Sequence, residues 1–231
     1  MMGGLMAKEP DGGDSDYTPI DAGNHHGVCY RYYDLGTQQL AFEGTSRDVH
    51  RVLVTWELPN ERIEINQEDL PKIISKEYTL SLHKKSALRQ HLESWRGRTF
   101  NDKELDGFSL DNILGANCMI NIIHNTKKDK TYANVGSIAP LMKGMAKREA
   151  ENEVRGWSIV NDGFNNMPED TPEWIKSKIQ NSLEYEAWSS DKPNVNEDGN
   201  YDEMHPPPAG YFDGLDDEIN VPPDGDESCP F

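Results

Sequence analysis

Apolar and polar positions alternate through much of the first two-thirds of the chain, and the spacing then turns helical. Val52, Val54, Trp56 and Leu58 recur at period two and predict a strand over 48–58. Arg51, Thr55 and Glu57 take its other face, where Leu53 is an exception. Before it, 18–23 reads as a lead-in turn, and the aromatic, β-forming run 26–35 as a first strand. Gly36 and Gly44 mark 36–46 as a loop. After it, 59–61 reads as a turn, 62–65 as a short strand and 72–82 as a further strand, with Ile74, Lys76, Tyr78, Leu80 and Leu82 on one mixed face.

Ala87, Leu88, His91, Leu92 and Trp95 give the stripe of a helix over 84–95 packed on a core, with Gly97 placed to cap it. Asn101 is placed to cap one helical turn over 101–105. The loop 107–114 brings Phe108, Leu110 and Leu114 inward. A hairpin follows: 116–125 with Cys118, Ile120 and Ile122 on one face, a turn at 126–129, and a return over 130–141 carrying Tyr132, Val135 and Ile138. Met119 and Ile123 break the alternation of its first strand. Pro140 ends the sheet, since it has no N–H to donate to a ladder.

Beyond Lys143 the pattern changes. Residues 145–154 read as a charged helix, 157–166 as irregular, and 171–188 as an amphipathic helix with Thr171 at its N-cap and Pro172 in first position. The chain thus divides into an N-terminal arm (1–17), a β core (18–144), a helical extension (145–188) and a tail (189–231) expected to be disordered. Three strands, a helix and a hairpin is the plan of an OB-fold: a mainly β, five-stranded barrel with one inserted helix that often binds oligonucleotides. A small β-sandwich is the competing architecture.

Charge sharpens this division. The net charge is −18, yet residues 1–148 hold 19 Lys/Arg against 20 Asp/Glu, while 149–231 hold 4 against 21. Within the core, 70–148 hold 14 basic residues against 7 acidic. A mildly basic domain with an acidic tail points to nucleic acid, or to a tail that competes for a basic site. Three widely separated cysteines support neither a disulfide framework nor a zinc ribbon and suit a reducing cytoplasm. The N-terminus lacks the pattern of a signal peptide, and no segment has the apolar length of a membrane span.

The last 21 residues carry seven acids and no Lys, Arg or His, and stop on Ser228-Cys229-Pro230-Phe231. This tip resembles that of bacterial single-stranded DNA-binding proteins, which end in an acidic run, an aliphatic residue, Pro and Phe; Cys229 stands in the aliphatic position. The resemblance implies that Asp224, Asp226, Glu227, Pro230 and Phe231 dock replication or recombination proteins. The strings SKEYTLSL (75–82), LESWRGRTF (92–100), NILG (112–115) and KTYAN (130–134) resemble a group of phage-encoded proteins taken to be single-stranded DNA-binding proteins. That similarity covers about 17–145 and implies an OB-type DNA-binding core working in the host's cytoplasm.

Single-strand binders combine a basic groove for phosphates with aromatic platforms for bases. The stretch 72–98 holds seven basic residues and two acidic ones, interleaved with Tyr78 and Trp95. Lys76, Tyr78, Lys84, Arg96, Arg98, Lys128, Lys130 and Tyr132 are the candidate contacts, with Arg31, Tyr32 and Tyr33 next. Trp56 and Trp95 fit the core better than a stacking platform. Tyr78 and Tyr132 stand open between the two roles, and the hairpin lysines would equally suit a solvated turn. No P-loop, GxGxxG, GxSxG or HExxH is present, and neither the histidines nor the acids at 102, 104, 106 and 111 fall at metal-site spacing. The expectation is therefore a non-enzymatic, cofactor-free binder of single-stranded DNA that admits self-association. Its acidic tail competes for the DNA groove and recruits partners. The alternatives are an acidic adaptor or DNA mimic acting on a host DNA-processing protein and, less supported, an RNA binder.

Overall fold

The computed structural model describes residues 18–42, 45–127 and 130–190; the N-terminal arm and the tail from residue 191 onward fall outside them. The molecule is mainly β. Strands β1 (Gly23–Phe42), β2 (Thr45–Ile65), β3 (Glu68–Thr79), β4 (Asn117–Lys127) and β5 (Lys130–Pro140) form an antiparallel path in the order β3-β2-β1-β4-β5. A sixth strand, β6 (Arg155–Trp157), pairs in parallel with Arg31–Tyr33 of β1.

The first hairpin is longer than the sequence suggests. The expected loop over 36–46 is paired strand from Gly36↔Arg51 to Phe42↔Thr45, and Gly36 marks an irregularity within the strand. It takes φ 67°, and a Cβ there would lie 2.6 Å from Ser182 Cβ, so both backbone conformation and space require glycine. The expected turn at 59–61 is a bulge between Leu58 and Arg62. The chain reverses instead at Asn66–Gln67, which take φ 54° and 69° in a two-residue turn whose twist suits a hairpin.

Helix α1 (Ala87–Arg96) follows the sequence pattern closely. Ser86 Oγ accepts from Arg89 N at 3.2 Å, Gly97 closes the helix at φ 66°, and Leu88, Leu92 and Trp95 are buried. Helix α2 (Asp102–Leu105) has a full capping box, Asn101 with Glu104. Helix α1 and a 3-10 turn at Leu110–Ile113 cover one side of the sheet.

That side is the principal core. Val52, Val54, Trp56, Leu58, Cys118, Ile120, Ile122 and Ile138 meet Leu88, Leu92 and Trp95 there. Cys29 and Cys118 lie in it as free thiols. The opposite side of the sheet is also buried: Tyr33, Leu35 and Leu53 pack with Trp157, Ile175 and Ile179 in a second core. Leu53, out of place in a strand with one solvated face, is explained by a face that is not solvated.

The C-terminal extension departs most from expectation. Residues 145–154 form no helix, because their backbone groups are engaged elsewhere. The fully buried Glu57 carboxylate accepts from Glu151 N, Asn152 N and Asn152 Nδ2 at 2.7–3.0 Å, and Asn117 pairs with both backbone groups of Arg148. The span 157–166 is ordered as the end of β6, helix α3 (Ile159–Asp162) and a 3-10 turn (Phe164–Asn166). The expected helix over 171–188 is two: α4 (Glu173–Gln180), with Pro172 rather than Thr171 at its N-cap, and α5 (Leu183–Ser190). They divide at the buried Ser182, whose hydroxyl donates to Ile179 O and accepts from Tyr185 N. Glu184 of α5 then grips Thr37 N and Thr37 Oγ1 at 2.7 and 2.6 Å, bracing the long hairpin. No described helix is long and apolar enough to cross a membrane.

Strands β3 and β5 touch without forming a ladder, and the sheet stays open there. Side chains bridge the gap. Lys76 Nζ donates to Val135 O at 2.7 Å, and the Tyr78 hydroxyl donates to His91 Nδ1 at 2.8 Å. Burial first, then the nearby Lys76 charge, pushes the His91 pKa from 6.5 down to about 4. The unfolded chain therefore takes up this proton before the folded one does, and stability should fall as pH drops from 6.5 towards 4. Discounted for partial exposure, the loss is about 1–2 kcal/mol. Denaturant titrations at pH 7.5 and 4.5 on the wild type and His91→Gln check this; an equal loss in both would dismiss His91 as its source.

Candidate nucleic-acid interface

The β4–β5 ribbon presents the most suitable surface. Its alternation turns Cys118, Ile120, Ile122, Val135 and Ile138 into the core. The register Ile123↔Asn134, Asn125↔Tyr132 and Lys127↔Lys130 places these six residues together on the outward face. Ile123 and Tyr132 are 44 % and 47 % exposed, and neither strand contains Asp or Glu. Gly136 keeps the face low beside Ile123, since a Cβ there would lie 3.0 Å from Ile123 Cγ2. An exposed ring flanked by an aliphatic side chain, amides and two lysines can stack a base and neutralise phosphates.

Lys76 adds a cation where β3 meets β5. Burial lowers its pKa, its Nζ lies 5.8 Å from the Tyr78 ring centre, and it forms no ion pair among the described residues. Lys84 is exposed just ahead of α1 and is likewise without an ion pair there. Lys130 and Tyr132 are thus the two sequence candidates that the fold unites on one open face. Lys128 and the tail residues Asp224, Asp226, Glu227, Pro230 and Phe231 lie outside the described residues.

The other candidates are committed to holding the fold. Tyr78 is 2 % exposed, with its ring in the core and its hydroxyl on His91, so it offers no face to a base. Tyr32 is buried, packed against Gly156, and donates to Asp111 Oδ1 at 2.6 Å; burial and then Asp111 raise its pKa. Tyr33 belongs to the second core. Arg31 is buried, bonded to Asp170 and the Tyr33 hydroxyl, and sits near Glu153. Burial works against its charge, but Asp170 and Tyr33 outweigh it and the pKa is raised.

The WRGR string is a structural buckle. Trp95 Nε1 donates to Asn117 O at 3.0 Å. Arg96 lies over the Phe100 and Phe108 rings, 4.4 and 5.2 Å from their centres, and pairs with Glu104. Arg98 pairs with the same carboxylate at 2.7 Å. Arg98 first, then the Asn101 backbone N–H, draws the Glu104 pKa down to about 2. One carboxylate between two guanidiniums leaves a local surplus of positive charge, and Arg98 keeps about half its side chain exposed. Arg96→Ala should therefore cost about 2 kcal/mol of stability through lost ring packing. Thermal melts should show this while single-strand affinity changes less than about twofold, because Arg96 is turned inward. A large affinity loss with an unchanged melt would return Arg96 to the interface.

Lys127 is one of the hairpin lysines weighed in the sequence, whereas Ile123, Asn125 and Asn134 join this face without a motif pointing to them. Ile123 breaks the ribbon's alternation, and it is its place beside the exposed Tyr132 and two lysines, rather than a lone exposed aliphatic side chain, that draws attention to this face. No group of three His, Cys, Asp or Glu among the described residues could hold a metal. No protein-family model matches this chain, and no curated protein matches it either.

Proposed function

We propose that this protein binds single-stranded DNA with little sequence preference, as a non-catalytic component of phage DNA replication or recombination in the host's cytoplasm. The observation that carries the reading is the outward face of strands β4 and β5, which contain no Asp or Glu, with Tyr132 and Ile123 exposed alongside Lys127 and Lys130. The strand order β3-β2-β1-β4-β5 supports it, being that of an OB barrel opened between its third and fifth strands. On this reading Lys76 and the Tyr78–His91 pair take the place of a closing ladder. The acidic tail competes with DNA for the lysines, and its Pro230–Phe231 tip recruits partner proteins once DNA displaces it.

Fluorescence anisotropy with labelled oligo-dT, the matching duplex and an RNA of equal length, over a range of salt, tests this. If Lys76, Lys127 and Lys130 each neutralise one phosphate, the log–log salt slope should be about −2, and Lys127→Gln/Lys130→Gln should lower its magnitude by about 1.4. Equal or tighter binding to duplex would remove the single-strand reading. The split between −1 over 1–148 and −17 over 149–231 favours a second reading, an acidic adaptor for a host DNA-processing protein. It takes first place if the full chain binds no nucleic acid but is captured by such a protein.

A further inference from the structure

A groove of about 660 Å³ opens beside the β2–β3 turn, on a part of the molecule that the proposed DNA interface does not use. Ile20, Tyr30, Ile63, Ile65, Leu70 and Ile73 line it. Four of these, on the two strands of one hairpin, are 36–52 % exposed. Aliphatic side chains gathered in a groove, rather than scattered singly, mark a docking surface.

The position of Thr18 indicates the occupant. Thr18 is the first described residue and itself lines the groove, so the 17 residues before it are tethered at its lip. Apart from Ala7 and Tyr17, their apolar residues fall at Met1, Met2, Leu5 and Met6, and the stretch between carries acids at Glu9, Asp11, Asp14 and Asp16. Lys72, also in the lining, forms no ion pair among the described residues and suits an acidic stretch passing over it. The dozen residues back to Met6 can span up to about 40 Å, enough to lay Leu5 and Met6 along the hairpin. Leu and the flexible Met fill an irregular apolar groove well. A short tether also gives this segment an effective concentration of about millimolar, which a second copy or a foreign peptide would have to match from bulk solution.

We propose that the chain's own N-terminal segment docks in this groove, with Leu5 and Met6 as its anchors. The test places the photocrosslinker p-benzoylphenylalanine at position 6 of the full chain and maps its links by mass spectrometry. Links within one chain to residues 63–73 are expected, falling about fivefold in the Ile73→Asp variant. Leu5→Asp/Met6→Asp should raise anilinonaphthalene sulfonate fluorescence about threefold as the groove is bared. The proposal requires both results. Links joining two chains would assign the groove to a second copy. Links elsewhere, links no more abundant than from a probe at position 12, or unchanged dye fluorescence would equally overturn it.

Discussion

Tyr132→Ala should weaken binding to oligo-dT by about 1–3 kcal/mol, roughly 5- to 150-fold, the cost of losing one stacked base. The expectation rests on position. Tyr132 is 47 % exposed, faces Asn125 across the ribbon, and shares its side of the sheet with Ile123, Lys127 and Lys130. Its ring carries no core packing, so the melting temperature should change little. Tyr132→Phe keeps a π face and should retain most of the affinity, whereas loss of the hydroxyl alone would matter if the contact were a hydrogen bond. Tyr78→Phe is the matched control. Tyr78 has the same chemistry and also adjoins basic residues, but it is 2 % exposed and its hydroxyl holds His91. Its replacement should touch stability and spare binding. Full affinity in Tyr132→Ala, measured by anisotropy at fixed salt, would remove the ribbon from the interface.

Trp157→Ala should cost about 3–5 kcal/mol, the usual price of emptying a fully buried aromatic site. For an ordered region of this size that lowers the melting temperature by about 8–15 °C. Trp157 is 1 % exposed, lies in the short strand β6 against Tyr33, and forms the second core with Leu35, Leu53, Ile175 and Ile179. Its indole Nε1 finds no acceptor among the described residues, so Trp157→Phe gives up volume without breaking a hydrogen bond and should cost much less. Differential scanning fluorimetry and trypsin digestion at Arg155, Lys176 and Lys178 would report the change. A loss under about 1 kcal/mol would mean that the extension from 155 to 190 is an appendage rather than part of the fold.

The contrast between Tyr132 and Tyr78 shows why the candidate interface was only partly legible. Each tyrosine lies on a β-strand beside lysines, and nothing in either local pattern separates a stacking platform from a core ring. The difference arises because α1 closes over Tyr78 and supplies His91, while nothing described covers the ribbon at Tyr132. Arg96 and Arg98 were hard to place for a related reason. Basic residues flanking a glycine suggest a phosphate contact, but Gly97 is there to end a helix, and Glu104, placed by its capping box, takes both guanidiniums. Arg31 looked free in sequence because its partners, Asp170 and Glu153, are more than a hundred residues away.

The sequence by itself determined what local physics controls. Period-two alternation placed β2 and the β4–β5 hairpin, the 3.6-residue stripe placed α1, and Gly97 and Asn101 set helix ends through hydrogen bonds that reach only a few residues. Only the tertiary structure decided features resting on distant partners. Most of the expected loop at 36–46, residues 36–42 and 45–46, is paired strand that α5 braces through Glu184. The charged run at 145–154 gave up helix because Glu57 and Asn117 claimed its backbone. The second core formed because Trp157, Ile175 and Ile179 came to cover Leu53 on a face that alternation alone would leave to water. A backbone N–H bonds to whichever acceptor the fold brings nearest, and a side chain's exposure depends on what folds over it; neither is written in the residues immediately beside it.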